Sequence, residues 1–324
     1  MVLVYPERAV DRDRWILRQR PARASLNPRE PYAFFIEDEP APDGEVLSVA
    51  TIFLTNRECP FRCTMCDLWQ NTLEESVPTG AIPAQIDFAL ERLPRARVVK
   101  LYNSGSFFDP RAIPVDDYPA IAERVRDFDR VIVECHPAFV GERCLELRSL
   151  LPGRLEIAMG LETVNPGVLE KLNKRMTLAQ FGAAGDFLRA NSIDLRAFIL
   201  VQPPFMHPEE SLEWAQRSLD FAFDCGATAA TLIPTRGGNG AMELLAEAGE
   251  FAPPDLSVVE AAAEYGLRQR RGRVFTDLWG LKSNGRCSVC FERRLQRLRM
   301  MNRRQQVTNR ISCATCGGKS AASI

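Results

Sequence analysis

Glu58-Cys59-Pro60-Phe61-Arg62-Cys63-Thr64-Met65-Cys66 follows directly on residues 46–55, a β-branched, apolar run that reads as a strand. Three thiols at Cx3Cx2C spacing on one short loop can each hold one iron of a [4Fe-4S] cube, which leaves the fourth iron open to a small chelating ligand. An open iron implies chemistry rather than electron storage alone. A zinc site or three unrelated buried cysteines is the plain reading of such a triplet, and its compactness just after a strand argues against both. Cys59, Cys63 and Cys66 are therefore the first candidate metal ligands.

Outward from this loop, strand-like runs recur at 47–55, 98–103, 131–135, 155–159, 195–201 and 228–233. The stretches at 82–93, 118–127, 181–190 and 209–223 carry apolar residues at helical spacing. Strands alternating with helices predict right-handed parallel βα units around a curved sheet. The expected fold is α/β: a partial (β/α)6 TIM-like barrel over 46–280, an N-terminal extension over 1–45 and a small four-cysteine module over 281–324. Residues 32–36 read as an added edge strand, 39–44 as a turn, 256–267 as a further helix and 273–279 as a further strand. In such a barrel the site lies at the C-terminal ends of the strands, where the cysteine loop stands.

Residues 1–20 are broken by Pro6 and studded with charge, so they do not read as the apolar core of a signal peptide. No apolar run approaches the ~18 residues of a membrane span, so no membrane partner is expected. Ten cysteines and an oxygen-sensitive cluster fit the reducing cytoplasm.

The cysteine loop resembles the signature of the radical S-adenosylmethionine (SAM) superfamily in its spacing and its place after a first strand. The resemblance implies a barrel of radical SAM type in which the amino and carboxylate groups of SAM chelate the open iron. An electron from the reduced cube then breaks the S–C5′ bond, and the 5′-deoxyadenosyl radical takes hydrogen from a substrate. The superfamily usually has an aromatic residue before the third cysteine; here Met65, apolar and polarizable, stands there and can shield the cube. Residues 197–205 (Ala-Phe-Ile-Leu-Val-Gln-Pro-Pro-Phe), 234–240 (Pro-Thr-Arg-Gly-Gly-Asn-Gly) and 249–254, with 133–137 and 63–66, are similar to stretches of the archaeosine-forming radical SAM lyases, relatives of the Elongator catalytic subunit. This narrower resemblance spans about residues 47–267 and implies a nucleoside in tRNA as substrate. Those lyases carry a basic residue before the Pro-Pro pair, where this chain has Gln202.

Candidate cofactor and catalytic residues stand at the strand ends. Asn103, Ser104 and Gly105 resemble the superfamily loop that contacts the SAM amino group, and Gly105 admits close approach. Glu162 can take both ribose hydroxyls, or pair with an arginine. Arg175, or its neighbour Lys174, can neutralise the SAM carboxylate, and Gln202 completes the cofactor set. Glu134 is a catalytic candidate that shares a strand face with His136. Arg236 and Asn239 lie in a glycine-rich loop able to close over a substrate phosphate or heterocycle. An ordinary turn, a structural histidine and a flexible loop are the plain readings of these segments.

Cys287-Ser288-Val289-Cys290 and Cys313-Ala314-Thr315-Cys316-Gly317-Gly318 form two Cx2C knuckles that can close a tetrahedral zinc site or carry a second Fe–S cluster. Between them Arg293, Arg294, Arg297, Arg299, Arg303 and Arg304 interleave with Leu295, Leu298, Met300 and Met301 on what reads as an amphipathic helix. Residues 281–324 hold ten Lys or Arg and one acid in a chain of net charge −1. That asymmetry suits an anionic partner such as tRNA. A reductase or electron donor such as flavodoxin or ferredoxin is implied by the resemblance. Two other functions fit the same residues: radical modification of a peptide or small metabolite with an auxiliary cluster, and a non-enzymatic iron–sulfur or zinc-binding regulator.

Overall fold

The computed structural model describes residues 5–281 and 287–316. In chain order, α1 (Ala9–Gln19) precedes β1 (Ala33–Pro40) and β2 (Val46–Phe53), followed by α2 (Ala81–Leu90), β3 (Val98–Tyr102), α3 (Tyr118–Arg124), β4 (Arg130–Cys135), α4 (Glu142–Leu150) and β5 (Arg154–Glu162). Then come α5 (Pro166–Lys171), α6 (Leu178–Ala190), β6 (Asp194–Val201), α7 (Ser211–Asp224), β7 (Ala229–Pro234), α8 (Ala241–Glu247), α9 (Leu256–Gln269), β8 (Arg273–Thr276) and α10 (Phe291–Arg304).

The strands form one sheet in the order β1 to β8, with β1 antiparallel to β2 and every later pair parallel. The six expected parallel runs are β2 to β7, and β8 adds a seventh. The turn expected at 39–44 is shorter, because β1 runs through Glu39 and Pro40 in register with Leu47 and Val46. Helices α1, α4, α5 and α8 had no sequence expectation; each is short or dominated by charge or small residues, so its apolar period is weak.

Strand alternation explains the two faces of the sheet. Val99, Leu101, Val131, Val133, Ile157, Ala197 and Ile199 point outward into one core with Ile82, Ile86, Ile121, Phe181 and Leu219 of the surrounding helices. The concave face carries Val49, Ile132 and Ala158 and, toward the N-terminal end of the strands, a buried ionic network. There Arg196 pairs with Glu39 and Glu156, Lys100 with Glu39 (2.7 Å), and Arg273 with Glu156 (2.9 Å) and Glu39 (3.2 Å). Burial opposes charge on Glu39 and Glu156, yet Arg196 and the neighbouring cations overcome it and hold both carboxyls well below the ordinary range. This network fills the base of the half-barrel.

The sheet has two edges, β1 and β8, and α10 packs on both. Phe291, Leu295, Leu298 and Met301 bury into the main core, while the Asn302 amide donates to the Thr276 carbonyl and accepts from its N–H, both at 2.8 Å. The Gln305 amide does the same to Val274 at 3.0 and 2.7 Å. Two side-chain amides thus satisfy the edge of β8 as a ninth strand would. Because position 302 meets Thr276 and position 305 meets Val274, α10 runs antiparallel to β8 and begins on the side of the barrel mouth. Among the described residues no helix is long and apolar enough to cross a membrane.

Candidate active site at the barrel mouth

The cysteine loop leaves the C-terminal end of β2 and is braced from several sides. Glu58 accepts from Arg23 (2.6 Å), Arg20 (2.8 Å) and Arg62 (3.0 Å). The Thr64 N–H donates to the Leu172 carbonyl (2.9 Å), and its hydroxyl bonds the Tyr5 hydroxyl at 2.6 Å. Asn239 donates to the carbonyls of Thr64 (2.8 Å) and Cys66 (3.0 Å), and its own oxygen accepts from the Met242 N–H (2.8 Å). Its polar atoms are fully used in positioning the loop and capping α8. Asn173 ties the Arg62 carbonyl (2.8 Å) to Asp13 of α1 (2.7 Å).

These contacts make α1 a strap over the cysteine loop. Trp15 and Ile16 bury against Met242, Leu245 and Phe251, with Met65 packed beside them. Gly240 lies so close to the Gln19 carbonyl that a Cβ there would sit 1.9 Å from its oxygen, and its φ of +85° also demands glycine. Burial pushes the Cys59 thiol up to about 11 and those of Cys63 and Cys66 up to about 12, so a metal must displace protons to bind them.

Three non-glycine residues at the strand ends are left-handed: Ser104 after β3 (φ +54°), Glu162 ending β5 (+64°) and Gln202 after β6 (+55°). Left-handed backbone at such residues persists only where the surroundings over-determine it. Ser104 bonds the Tyr32 hydroxyl (2.9 Å), Glu162 takes the Lys174 ammonium (2.7 Å), and Gln202 donates to the Ala252 carbonyl (2.7 Å). Glu162 and Lys174 are both buried. A Cβ on Gly160 would meet the Glu162 oxygen at 2.1 Å and the Lys174 nitrogen at 2.6 Å, so this glycine makes room for the pair.

The cation at Glu162 is Lys174; Arg175 turns instead to Asp13 on α1 (2.7 Å). Gly105 packs on Cys59, with 3.2 Å from its would-be Cβ to the cysteine Cβ. Asn103 is fully buried, and neither its amide nitrogen nor its oxygen has a partner among the described residues. Glu134, at the end of β4, accepts the Asn103 N–H at 3.2 Å; burial pushes its carboxyl up to about 7, partly offset by the N–H groups of Asn103, Gly105 and Ser104.

His136 accepts the Ala138 N–H at Nδ1 (3.1 Å), so Nε2 carries the proton and donates to the Lys174 carbonyl (3.0 Å). Its ring stacks on Phe61, and burial drops its pKa to about 3, so it is a neutral support of the loop. Arg236 pairs with Asp277 (3.1 Å), reaches Asp67, the residue after Cys66, at 3.9 Å, and stacks on Trp279, which is 72% exposed. Sequence reasoning left two contributors unnamed. Gly160 carried no motif, and Tyr5, Asp13, Arg20 and Arg23, in and around α1, lie far from the cysteines in the chain.

The second cysteine group lies at the start of α10. Cys287, Cys290, Cys313 and Cys316 place their sulfurs within 4.8 Å of one another, with 3.8 Å between Cys287 and Cys313 and 3.7 Å between Cys290 and Cys316. Gly317 and Gly318 lie outside the described residues. Of the arginines between the knuckles, Arg294 pairs with Glu260 (2.6 Å) and the buried Arg297 with Glu264 (2.7 Å).

No family model matches the chain. An uncharacterized protein of Methanocaldococcus jannaschii is 26% identical over 294 residues, covering 83% of this chain and 80% of its own length. Archaeosine synthase subunit beta of Methanosarcina acetivorans is 25% identical over 269 residues, covering 78% of this chain and 77% of that protein. Among solved structures, Elp3 of the archaeon Methanocaldococcus infernus superposes with a TM-score of 0.50 at 12% identity, over 67% of this chain and 58% of the other. The chain therefore shares its half-barrel fold with the archaeal Elp3 structure, as the resemblance of residues 197–205 and 234–240 to relatives of the Elongator catalytic subunit implied.

Proposed function

We propose that this chain is a radical SAM enzyme that takes hydrogen from a nucleoside within tRNA, working in the reducing cytoplasm with an electron donor of flavodoxin or ferredoxin type. The observation that carries the reading is the buried Asn103 amide, unpartnered, in the loop that packs on Cys59. Leaving such a group unsatisfied costs roughly 1–3 kcal/mol, which a polar ligand would remove. It fits the amino acid end of SAM.

Cys59, Cys63 and Cys66 would hold the [4Fe-4S] cube, and Asn103, Ser104 and Gly105 the methionyl end of SAM. When bound, the two supply a hydrogen-abstracting species by one-electron cleavage of the S–C5′ bond. Glu162 keeps one oxygen on Lys174 and offers the other to a ribose hydroxyl. Lys174 pairs with that carboxylate in its buried setting, and its charge works against burial to favour the thiolate forms of Cys59 and Cys63. Glu134 can hold a proton near neutral pH and receive or release one at the mouth. Asn239, Arg20 and Arg23 position the cysteine loop, and Met65 with α1 keeps water from its outer side.

The four C-terminal sulfurs favour one ion over a second cluster. A tetrahedral Zn–S bond of about 2.3 Å sets the sulfurs about 3.8 Å apart, the separation found here, whereas a cube gives each cysteine its own iron and spreads them further. The ion we assign is zinc, with the start of α10 as the element it fixes.

The test is anaerobic reconstitution with iron and sulfide, then dithionite and SAM, following 5′-deoxyadenosine with and without unmodified tRNA. Release that requires Cys63 and is stimulated by tRNA is expected. A fully reconstituted, reduced protein that releases none under either condition would overturn the reading.

A further inference from the structure

The six arginines of α10 divide into two groups. Arg294 and Arg297 are consumed by α9, on Glu260 and Glu264. The others remain open. Arg293 and Arg304 make no ion pair or hydrogen bond with a described residue, and Arg299 touches only Gln296, at 3.4 Å. Arg303 reaches Asp38 at 3.6 Å, with both side chains more than half exposed, a contact worth little. Arg299, Arg303 and Arg304 line a groove of about 650 Å³ between α10 and the β1–β2 turn, walled also by Pro40, Gly44 and Met300, and no carboxylate is among its described lining residues.

We infer that this flank binds the sugar–phosphate backbone of an RNA substrate, which runs along α10 from the barrel mouth to the groove under the β1–β2 turn. The inference rests on the reading of tRNA as substrate and adds where the polynucleotide lies. Asn302 is bonded to Thr276 at the mouth end of β8, so Arg293, nine residues earlier, stands about 13 Å further toward the mouth at ~1.5 Å per residue. The four open guanidiniums therefore extend over about 16 Å of one helix. All are arginines, whose planar forks match phosphate oxygens and stay charged at any working pH. A repeating polyanion satisfies such a line, with almost no interleaved acid; an acidic protein would have to match its spacing by chance.

The experiment measures binding of an unmodified tRNA transcript to the full chain over a range of salt concentrations. The variants are the triple Arg299→Gln/Arg303→Gln/Arg304→Gln and, as a control at a distant surface, Arg126→Gln/Arg189→Gln, each checked for an unchanged melting temperature. Each lost phosphate contact lowers the slope of log K against log salt by about 0.7–0.9, so the triple variant should lose roughly 2 to 3 from the slope; the control should keep it. Wild-type protein that binds no RNA at any salt would overturn the tRNA reading and this inference together. Salt-dependent binding by the wild type with an unchanged slope in the triple variant would overturn this inference alone. The same holds if the triple variant binds RNA normally but is no longer reduced by a reduced flavodoxin, which would mark the flank as a site for an acidic protein.

Discussion

Replacing Glu134 by glutamine isolates the electrostatics of the barrel mouth. The carboxyl ends β4, accepts the Asn103 N–H at 3.2 Å, and is pushed by burial from 4.5 to about 7. The unfolded chain releases this proton near pH 4.5 while the folded chain keeps it until about 7. Folded protein thus binds more protons across that window, and stability falls as pH rises through it, the loss being complete above the folded value. At about 1.4 kcal/mol per tenfold change, the interval corresponds to about 3 kcal/mol. The substituted amide keeps the shape and can accept the Asn103 N–H through its carbonyl, but it has no proton to lose. Urea midpoints of both proteins, measured from about pH 4.5 to 8, give the difference free of the other titrating groups, which cancel between the two. The wild type should lose about 3 kcal/mol relative to Glu134→Gln over this range. Two parallel pH profiles would refute the reasoning, because any pH-independent gap reports only a changed contact.

Lys174→Met leaves the Glu162 carboxylate buried without its cation, and the cost should be about 3–5 kcal/mol. Arg175→Met, at a half-exposed pair with Asp13, should cost under about 1 kcal/mol; chemical denaturation of the two variants checks the order. Asp13→Ala frees Asn173 from α1, and the reconstituted cluster should bleach about 10- to 100-fold faster in air, as expected for loss of a support behind a metal ligand; absorbance decay reads this without any turnover. Metal analysis should find one zinc per chain that survives removal of the iron. Its chelation should lower the melting temperature, since binding energy at such a site is folding energy; a chain with equal stability before and after chelation would contradict the assignment.

The parallel strands were legible because β-branched runs such as Val-Ile-Val before Glu134 have one meaning when helical spacing follows them. β8 was legible as a strand but shorter than expected, since beyond Thr276 the chain turns to place Asp277 on Arg236. The cysteine loop was legible as a candidate site from spacing alone. The supports behind it were not, because their meaning lies in contacts between distant segments: Asp13 meets Arg175 across more than 160 residues, and nothing at either position signals the other. The choice between Lys174 and Arg175 was closed to sequence for a different reason. Adjacent residues in a turn point in unrelated directions, and only the left-handed backbone at Asn173 and Arg175 decides which cation reaches Glu162.

Helices α1 and α10 do comparable work on two different elements of the barrel. A half-barrel sheet has an open seam between its edge strands, and exposed edges invite pairing with other chains. Here α10 covers that seam through Asn302 and Gln305, and the four-cysteine site sits at its mouth end, where a bound ion would fix the point from which the helix descends. The strap α1 acts on the other unsupported element, the cysteine loop, whose backbone carbonyls at Arg62, Thr64 and Cys66 are all taken by Asn173 and Asn239. Asn173 reaches Asp13 of the strap and Asn239 precedes the glycine that Gln19 packs upon. Both amides therefore transmit the position of α1 to the three thiols, which makes the geometry of the cysteine loop depend on residues that read, in sequence, as a charged extension.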